Sequence, residues 1–211
     1  MATHSSVLEL IGETPIVKSR RLDTGLCELY FKLESANPGG SIKDSIGVAM
    51  HAAAELTRSD VATGHPDYYQ DLAARIASET PGAFCVNQFG NPDNPAAHEF
   101  GTGPEILRQM DGQLDAIVFG CGSSGTMTGL SRAFAEHAPQ VELILADPVG
   151  SILTEYINEG TLSEKSGSWM VEGIGEDFLP QISDFTRVKK AYAISDKESF
   201  LTARELLAKE G

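Results

Sequence analysis

The chain has 211 residues, 41% of them hydrophobic, and a formal net charge of −14. That is enough apolar material for one generous domain or two small ones. The acidic balance repels phosphate backbones and anionic membranes, which argues against nucleic acid and membrane partners, and no apolar run approaches the ~18 residues of a membrane span.

The opening Met1-Ala2-Thr3-His4-Ser5-Ser6 has no basic segment followed by an apolar one, so the expected compartment is the cytoplasm. Cys27, Cys85 and Cys121 are odd in number and not closely paired. That spacing argues against a disulfide framework or a zinc knuckle, and no metal site is expected. All three cysteines sit in or beside apolar runs and read as small buried hydrophobes.

In chain order, strands and helices alternate as in an α/β domain with a mainly parallel sheet. Residues 27–33 read as a strand. Residues 41–55 read as a helix, with Ile42, Ile46, Ala49, Met50 and Ala53 along one face. Residues 66–79 form a second helix pattern through Tyr69, Leu72, Ala73 and Ile76. A short strand is expected at 83–87, a helix at 104–110, a strand at 115–119, a helix at 126–137 and a strand at 141–146. A late strand spans 189–194. Ser195 then opens the last helix, with Glu198 completing a capping box and Gly211 as a C-terminal cap. Residues 56–65 are polar and turn-like where a regular α/β repeat would place a strand.

Two segments carry chemistry. The first is Asn37-Pro38-Gly39-Gly40-Ser41-Ile42-Lys43-Asp44, dense turn residues running into a helix. Ser41 and Asp44 form a capping-box-like pair that puts the helix start at Ser41 and Lys43 in its first turn. The positive end of the helix dipole disfavours a cation there, and partial burial favours the neutral amine further. A neutral amine is what an imine to an aldehyde cofactor requires. The same residue also reads as a surface lysine whose stem covers the helix, and its chemistry alone leaves both readings open.

The second segment is Gly120-Cys121-Gly122-Ser123-Ser124-Gly125-Thr126, after an expected strand and before an expected helix. Backbone N–H groups converge at such a turn and suit a phosphate, with the hydroxyls of Ser123, Ser124 and Thr126 as further donors. The glycines also match G-x-G-x-x-G, and Asp147 closes the next strand, which is the dinucleotide fingerprint with its ribose-binding acid. A nicotinamide-dependent (NAD-binding) dehydrogenase and a tight turn without ligand therefore stand beside the phosphate reading.

Together the two segments resemble the fold type II pyridoxal-phosphate enzymes, and among them the cystathionine β-synthase and cysteine synthase family. The resembling stretches are LIGETPIV at 10–17, KLESANPGGSIKD at 32–44, NQFGNPDNPAAHE at 87–99, GCGSSGTMTG at 120–129, DPVGSIL at 147–153 and VEGIGEDFLP at 171–180. The last two look closer to cystathionine β-synthase. The resemblance implies that Lys43 forms the imine with pyridoxal 5′-phosphate and serves as the catalytic base. It implies that Gly122, Ser123, Ser124, Gly125 and Thr126 hold the cofactor phosphate, where the family usually has Gly-Thr-Gly-Gly-Thr. Gln88 matches a glutamine near substrate and cofactor, and Gly173 and Gly175 match a loop lining the cofactor face. Each of these three also fits a bland role, an amide at a sheet edge for Gln88 and an ordinary turn for the glycines. His51, His65 and His98 match no catalytic role and read as satisfied or solvated.

Two departures stand out. Such enzymes carry a mobile βα subdomain with a Ser-Gly-Asn-Thr-Gly-like loop that grips the substrate carboxylate. This sequence has no such loop, and the join falls at 55–57. The family also continues past the last helix to a Gly-Gly-Ser segment, whereas this chain stops at Gly211; it shows neither a heme-binding N-terminal extension nor a C-terminal regulatory module. The expected architecture is a fold type II α/β chain lacking the mobile subdomain, with an N-terminal part at 1–56 bearing the lysine helix and a larger part at 57–211 bearing the phosphate loop. The expected reaction is β-replacement on serine or O-activated serine, with homocysteine (cystathionine β-synthase, transsulfuration) or sulfide (cysteine synthase) as the thiol, in a homodimer. A non-catalytic phosphate-binding subunit is the rival of another class. Without the asparagine loop, weak or no turnover is expected, since loss of one preorganised donor commonly costs about 10²-fold or more in rate.

Overall fold

The computed structural model describes residues 4–50, 65, 68–162 and 166–211. Three parallel strands, β3 (Ala116–Phe119), β4 (Glu142–Pro148) and β5 (Val188–Ile194), form a sheet in the order β3-β4-β5. A separate antiparallel pair, β1 (Ile16–Lys18) and β2 (Tyr30–Lys32), matches Ile16 with Lys32 and Val17 with Phe31. The helices are α1 (Lys43–Met50), α2 (Tyr69–Glu79), α3 (Asp93–Ala97), α4 (Gly103–Gln109), α5 (Gly125–His137), α6 (Leu153–Glu159) and α7 (Asp196–Glu210). A single π-helical turn, His98–Thr102, joins α3 to α4.

β4, with the sequence ELILADP, is the middle strand. Parallel strands in a sheet flanked by helices read as nearly continuous apolar runs, as residues 143–146 do. Leu143, Leu145 and Asp147 are wholly buried. Leu143 packs with Phe134, Leu130, Val141 and Ile106. Further along the strand, Leu145 packs with Met127, Leu153, Val188 and Ala191. Both clusters depend on α5, whose Met127, Leu130 and Phe134 recur at helical spacing. Truncating a side chain as enclosed as Phe134 to alanine costs about 3–5 kcal/mol. A side chain on Gly129 would collide with the Pro95 carbonyl, so glycine lets α5 pack directly on the α3 segment. That close approach fixes α3 and the π-turn beside the loop that precedes α5.

The strand pair is tied to the rest by Lys32. Its Nζ donates to the Thr14 carbonyl at 2.8 Å and to Gln109 Oε1 at 3.1 Å, and it pairs with Glu105 of α4. This largely buried lysine is thereby committed to structure.

Several expectations change. Helix α1 begins at Lys43 rather than Ser41. Ser41 Oγ accepts from the Lys43 N–H at 3.1 Å, and the Asp44 carboxylate accepts from the Gly39 N–H instead of closing the box on Ser41. The strand at 27–33 shortens to Tyr30–Lys32. Residues 83–87 form no strand, because Pro81-Gly82 turns the chain before them, Asn87 takes a left-handed φ of 47°, and no strand among the described residues pairs with them. Helix α2 buries none of its residues, and Tyr69 and Ile76 remain exposed, so its apolar stripe is not covered by the described residues. Of the cysteines only Cys121 is buried; Cys27 is exposed and Cys85 intermediate, since the strand expected around each is short or absent. The capping box of Ser195 and Glu198 forms at the start of α7, and Gly211 ends it with φ 102°. Ala53, His51 and the join at 55–57 lie outside the described residues.

Candidate active site

The loop after β3 lies at the carboxyl end of the parallel sheet, where open α/β sheets bind ligands. Its shape is dictated by contacts that exclude side chains. Ser124 takes a left-handed φ of 67° and ends the turn as the N-cap of α5. Gly125 follows where any Cβ would collide with the Asn94 amide. Asn94 is itself buried and donates from Nδ2 to Ser123 Oγ at 3.0 Å and to the Gln88 carbonyl at 2.7 Å. One amide from α3 thus holds two strands of the site together.

A second loop closes on the first. The Gly175 N–H donates to the Cys121 carbonyl at 2.8 Å. Trp169 Nε1 donates to the Ile174 carbonyl at 2.9 Å and steadies the turn. A Cβ on Gly122 would stand 2.8 Å from the Gly173 carbonyl oxygen, and one on Gly175 would strike Pro148. Glycine at 122 and 175 is therefore what lets the two loops lie against each other.

Between them is a cleft of about 370 Å³. Lys43, Gln88, Gly122, Ser123, Gly173 and Gly175 all line it. Ser124, Gly125 and Thr126 stand behind its wall at the start of α5. Gln88 is not an amide at a sheet edge; its segment forms no strand, and it faces the cleft from the turn that precedes α3.

Lys43 is exposed, but toward this cleft. Surrounding protein strips water from its ammonium, so burial holds its pKa below the ordinary lysine value, against the opposing pull of Cys121 and Glu176. Among the described residues no carboxylate lies within ion-pair distance of its Nζ. The amine therefore tends toward its neutral, nucleophilic form. Cys121, buried behind it, has a thiol pushed up to about 12 by burial and is inert as an acid at neutral pH.

The residues present fit a small phosphorylated aldehyde. Ser124 Oγ is buried and has no hydrogen-bond partner among the described residues, an orphan hydroxyl at the N-terminus of a 13-residue helix. The first N–H groups of any helix lack partners within it, and the dipole favours an anion there. A phosphate would satisfy both. Asp147, by contrast, does not read a ribose. It is wholly enclosed, and its Oδ2 accepts from the Thr154 N–H at 3.0 Å and Oγ1 at 2.9 Å, capping α6. The dinucleotide fingerprint is matched in sequence, but its acid lies outside the cleft lining and holds the start of α6 through Oδ2, with Oδ1 unpartnered among the described residues.

His98 is a satisfied histidine. Its Nδ1 meets Thr102 Oγ1 at 2.9 Å and its Nε2 meets Thr126 Oγ1 at 3.2 Å. His65 is exposed. Three residues escaped sequence reasoning: Asn94, which props the loop, and Tyr69 and Glu176, which line the cleft. Asn94 and Glu176 sit inside resembling stretches, in NPDNPAAH and VEGIGEDFLP. Their role depends on which segments meet in space, which spacing alone does not reveal.

Comparison with known proteins agrees with this geometry. The profile of the family described as "Pyridoxal-phosphate dependent enzyme" matches residues 50–211. A cystathionine beta-synthase of Dictyostelium discoideum is 31% identical over 265 aligned residues, covering 98% of this chain and 53% of that protein. The aligned length exceeds the 211 residues here, so the relative carries internal segments that this chain lacks. The chain spans about half the length of the curated relatives it matches. Among solved structures, a hydrogen sulfide-producing enzyme from Fusobacterium nucleatum superimposes with a TM-score of 0.86 at 24% identity, covering 99% of this chain and 87% of that one. An O-acetylserine dependent cystathionine beta-synthase from Helicobacter pylori gives a TM-score of 0.82 at 25% identity, covering 99% and 85%.

Proposed function

We propose that this chain, which belongs to the pyridoxal-phosphate-dependent enzymes, is of the cystathionine β-synthase and cysteine synthase branch and performs β-replacement on serine or an O-activated serine, with homocysteine as the preferred thiol. The observation that supports this most is Lys43 facing the same cleft as Gly122 and Ser123. The lysine would hold the cofactor aldehyde, and the loop and start of α5 would hold its phosphate through Gly122, Ser123, Ser124, Gly125 and Thr126.

The bound cofactor supplies an electron sink for the pair left at the substrate α-carbon. This chain's residues do the rest. Lys43 would take the α-proton, as its lowered pKa suits. Gly173 and Gly175 let the second loop approach the cofactor face without side chains. Gln88 offers its amide to the substrate from the cleft wall. The reaction proposed is loss of the β-oxygen substituent and addition of a thiol at the same carbon, in a cytoplasmic homodimer.

Cysteine synthase activity is the second reading. The Helicobacter pylori neighbour is described as O-acetylserine dependent, which favours an activated serine there. Purified protein with pyridoxal phosphate should be offered serine or O-acetylserine, each with homocysteine or sulfide, and products read by mass spectrometry. Cystathionine from serine, formed slowly because the sequence lacks the asparagine loop, is the expected result. Cysteine from O-acetylserine and sulfide would favour the second reading. Tight cofactor binding with no product from any pair would make the chain a non-catalytic subunit.

A further inference from the structure

Besides Lys43 the cleft is lined by three ionisable groups that the reaction as described does not use, Tyr69, Glu172 and Glu176. Glu176 lines it, half-buried, from the loop opposite Lys43. Its backbone is pinned on both sides by one hydroxyl. Ser151 Oγ accepts from the Glu176 N–H at 3.1 Å and donates to the Glu176 carbonyl at 3.2 Å, while the Ile152 N–H adds a bond to the same carbonyl at 3.0 Å. The backbone that carries the side chain is thereby fixed beside the cleft. Its Oε1 lies 3.7 Å from the place a Cβ on Gly122 would occupy, directly over the loop glycine. No side-chain partner holds the carboxyl among the described residues, so both oxygens are available to a ligand.

We propose that Glu176 is a catalytic acid and base at the substrate β-carbon, and that it equips this site to expel the hydroxyl of unactivated serine. This rests on the β-replacement reading above. Hydroxide is a poor leaving group and needs a proton as the Cβ–O bond breaks; acetate does not. Lys43 takes the α-proton, the pair from the Cα–H bond forms the Cα–Cβ double bond, and the Cβ–O pair goes to oxygen. Glu176 gives that oxygen a proton, and water leaves. In the second half the thiol S–H passes its proton to the Glu176 carboxylate as the S–Cβ bond forms, and Lys43 returns a proton to Cα. Both residues end as they began.

The surroundings suit the role. Burial, then Asp177 and Asp147, push the Glu176 carboxyl up to about 7, while Lys43 opposes them. Tyr69 and Cys121 face the same group and stay protonated, both raised chiefly by burial. An acid near the operating pH is available in both forms.

Two measurements test it. In the cofactor-free protein, difference infrared spectroscopy is expected to show a carboxylic-acid C=O stretch titrating near pH 7 that Glu176→Gln abolishes. In the cofactor-loaded protein, Glu176→Gln should lower product formation from serine by about 10²-fold or more, the usual worth of a positioned acid. Product from O-acetylserine should fall less than product from serine, by about tenfold or more, because acetate needs no proton and only the thiol half of the cycle then uses Glu176. Glu176→Asp, which keeps the acid, should recover part of the serine reaction. Equal loss with both substrates, no loss with either, or a wild-type protein that uses O-acetylserine and not serine overturns the inference. A wild-type protein that uses neither overturns the reading beneath it, and the inference falls with it.

Discussion

His98 Nε2 meets Thr126 Oγ1 at 3.2 Å, so a buried imidazole from the π-turn positions a hydroxyl at the start of α5. The ring is nearly inaccessible, at 2% exposure. Its other nitrogen meets Thr102 Oγ1, so both faces of the contact are polar and paired.

This pair makes stability depend on pH. Burial, with a smaller contribution from the Lys43 charge, holds His98 down to about 4, against 6.5 for a free histidine. Between those values the unfolded chain takes up a proton that the folded chain refuses. The stability is therefore complete above pH 6.5 and is lost as pH falls toward 4. Integrated over that window it amounts to roughly 3 kcal/mol. Thermal melts from pH 4 to 7 should show a midpoint that declines on the acid side, and His98→Gln should flatten that decline.

Asn94 is expected to matter for cofactor binding although it lies behind the cleft. Replacing it with alanine removes the donor to Ser123 Oγ and to the Gln88 carbonyl. Leaving buried acceptors unpaired costs about 1–3 kcal/mol. The loss falls on the loop conformation, so pyridoxal phosphate affinity should weaken by about tenfold or more. A fluorescence titration of Asn94→Ala against the wild type measures it, and unchanged affinity would remove Asn94 from the site.

Thr128 provides the contrast. It is wholly buried, donates to the Ile182 carbonyl at 3.0 Å and accepts from the Asp184 N–H at 3.1 Å. Both partners belong to the segment leading into β5, away from the cleft. Thr128→Val should lower stability by about 1–3 kcal/mol in a denaturant titration while leaving cofactor affinity within error.

The parts of the fold that were legible in sequence are those whose burial is periodic. In α5, Met127, Leu130 and Phe134 return to one face every three or four residues, and in β4 residues 143–146 form an unbroken apolar run with alternate positions buried. The loop between β3 and α5 was legible because tight turns demand glycine. Residues 83–87 misled because Phe84, Cys85 and Val86 suit a strand, yet a strand also needs a neighbour to pair with. The α3 helix and π-turn were invisible because Pro92, Asn94 and Pro95 look like a loop; only packing against Gly129 makes them helical. Lys43 was readable as a candidate from its place at a helix start. Glu176 was not, since its character comes from Gly122, Ser151 and Lys43 converging from distant parts of the chain.

The central claim is that one amine in this chain is shaped to capture the cofactor aldehyde. Borohydride reduction after adding stoichiometric pyridoxal phosphate, followed by peptide mapping, tests it most directly. The expected result is a single pyridoxyl adduct on Lys43, absent from Lys43→Ala, with Lys32 unmodified because its Nζ is held by Thr14, Gln109 and Glu105. Adducts scattered over exposed lysines, or persisting undiminished in Lys43→Ala, would contradict it.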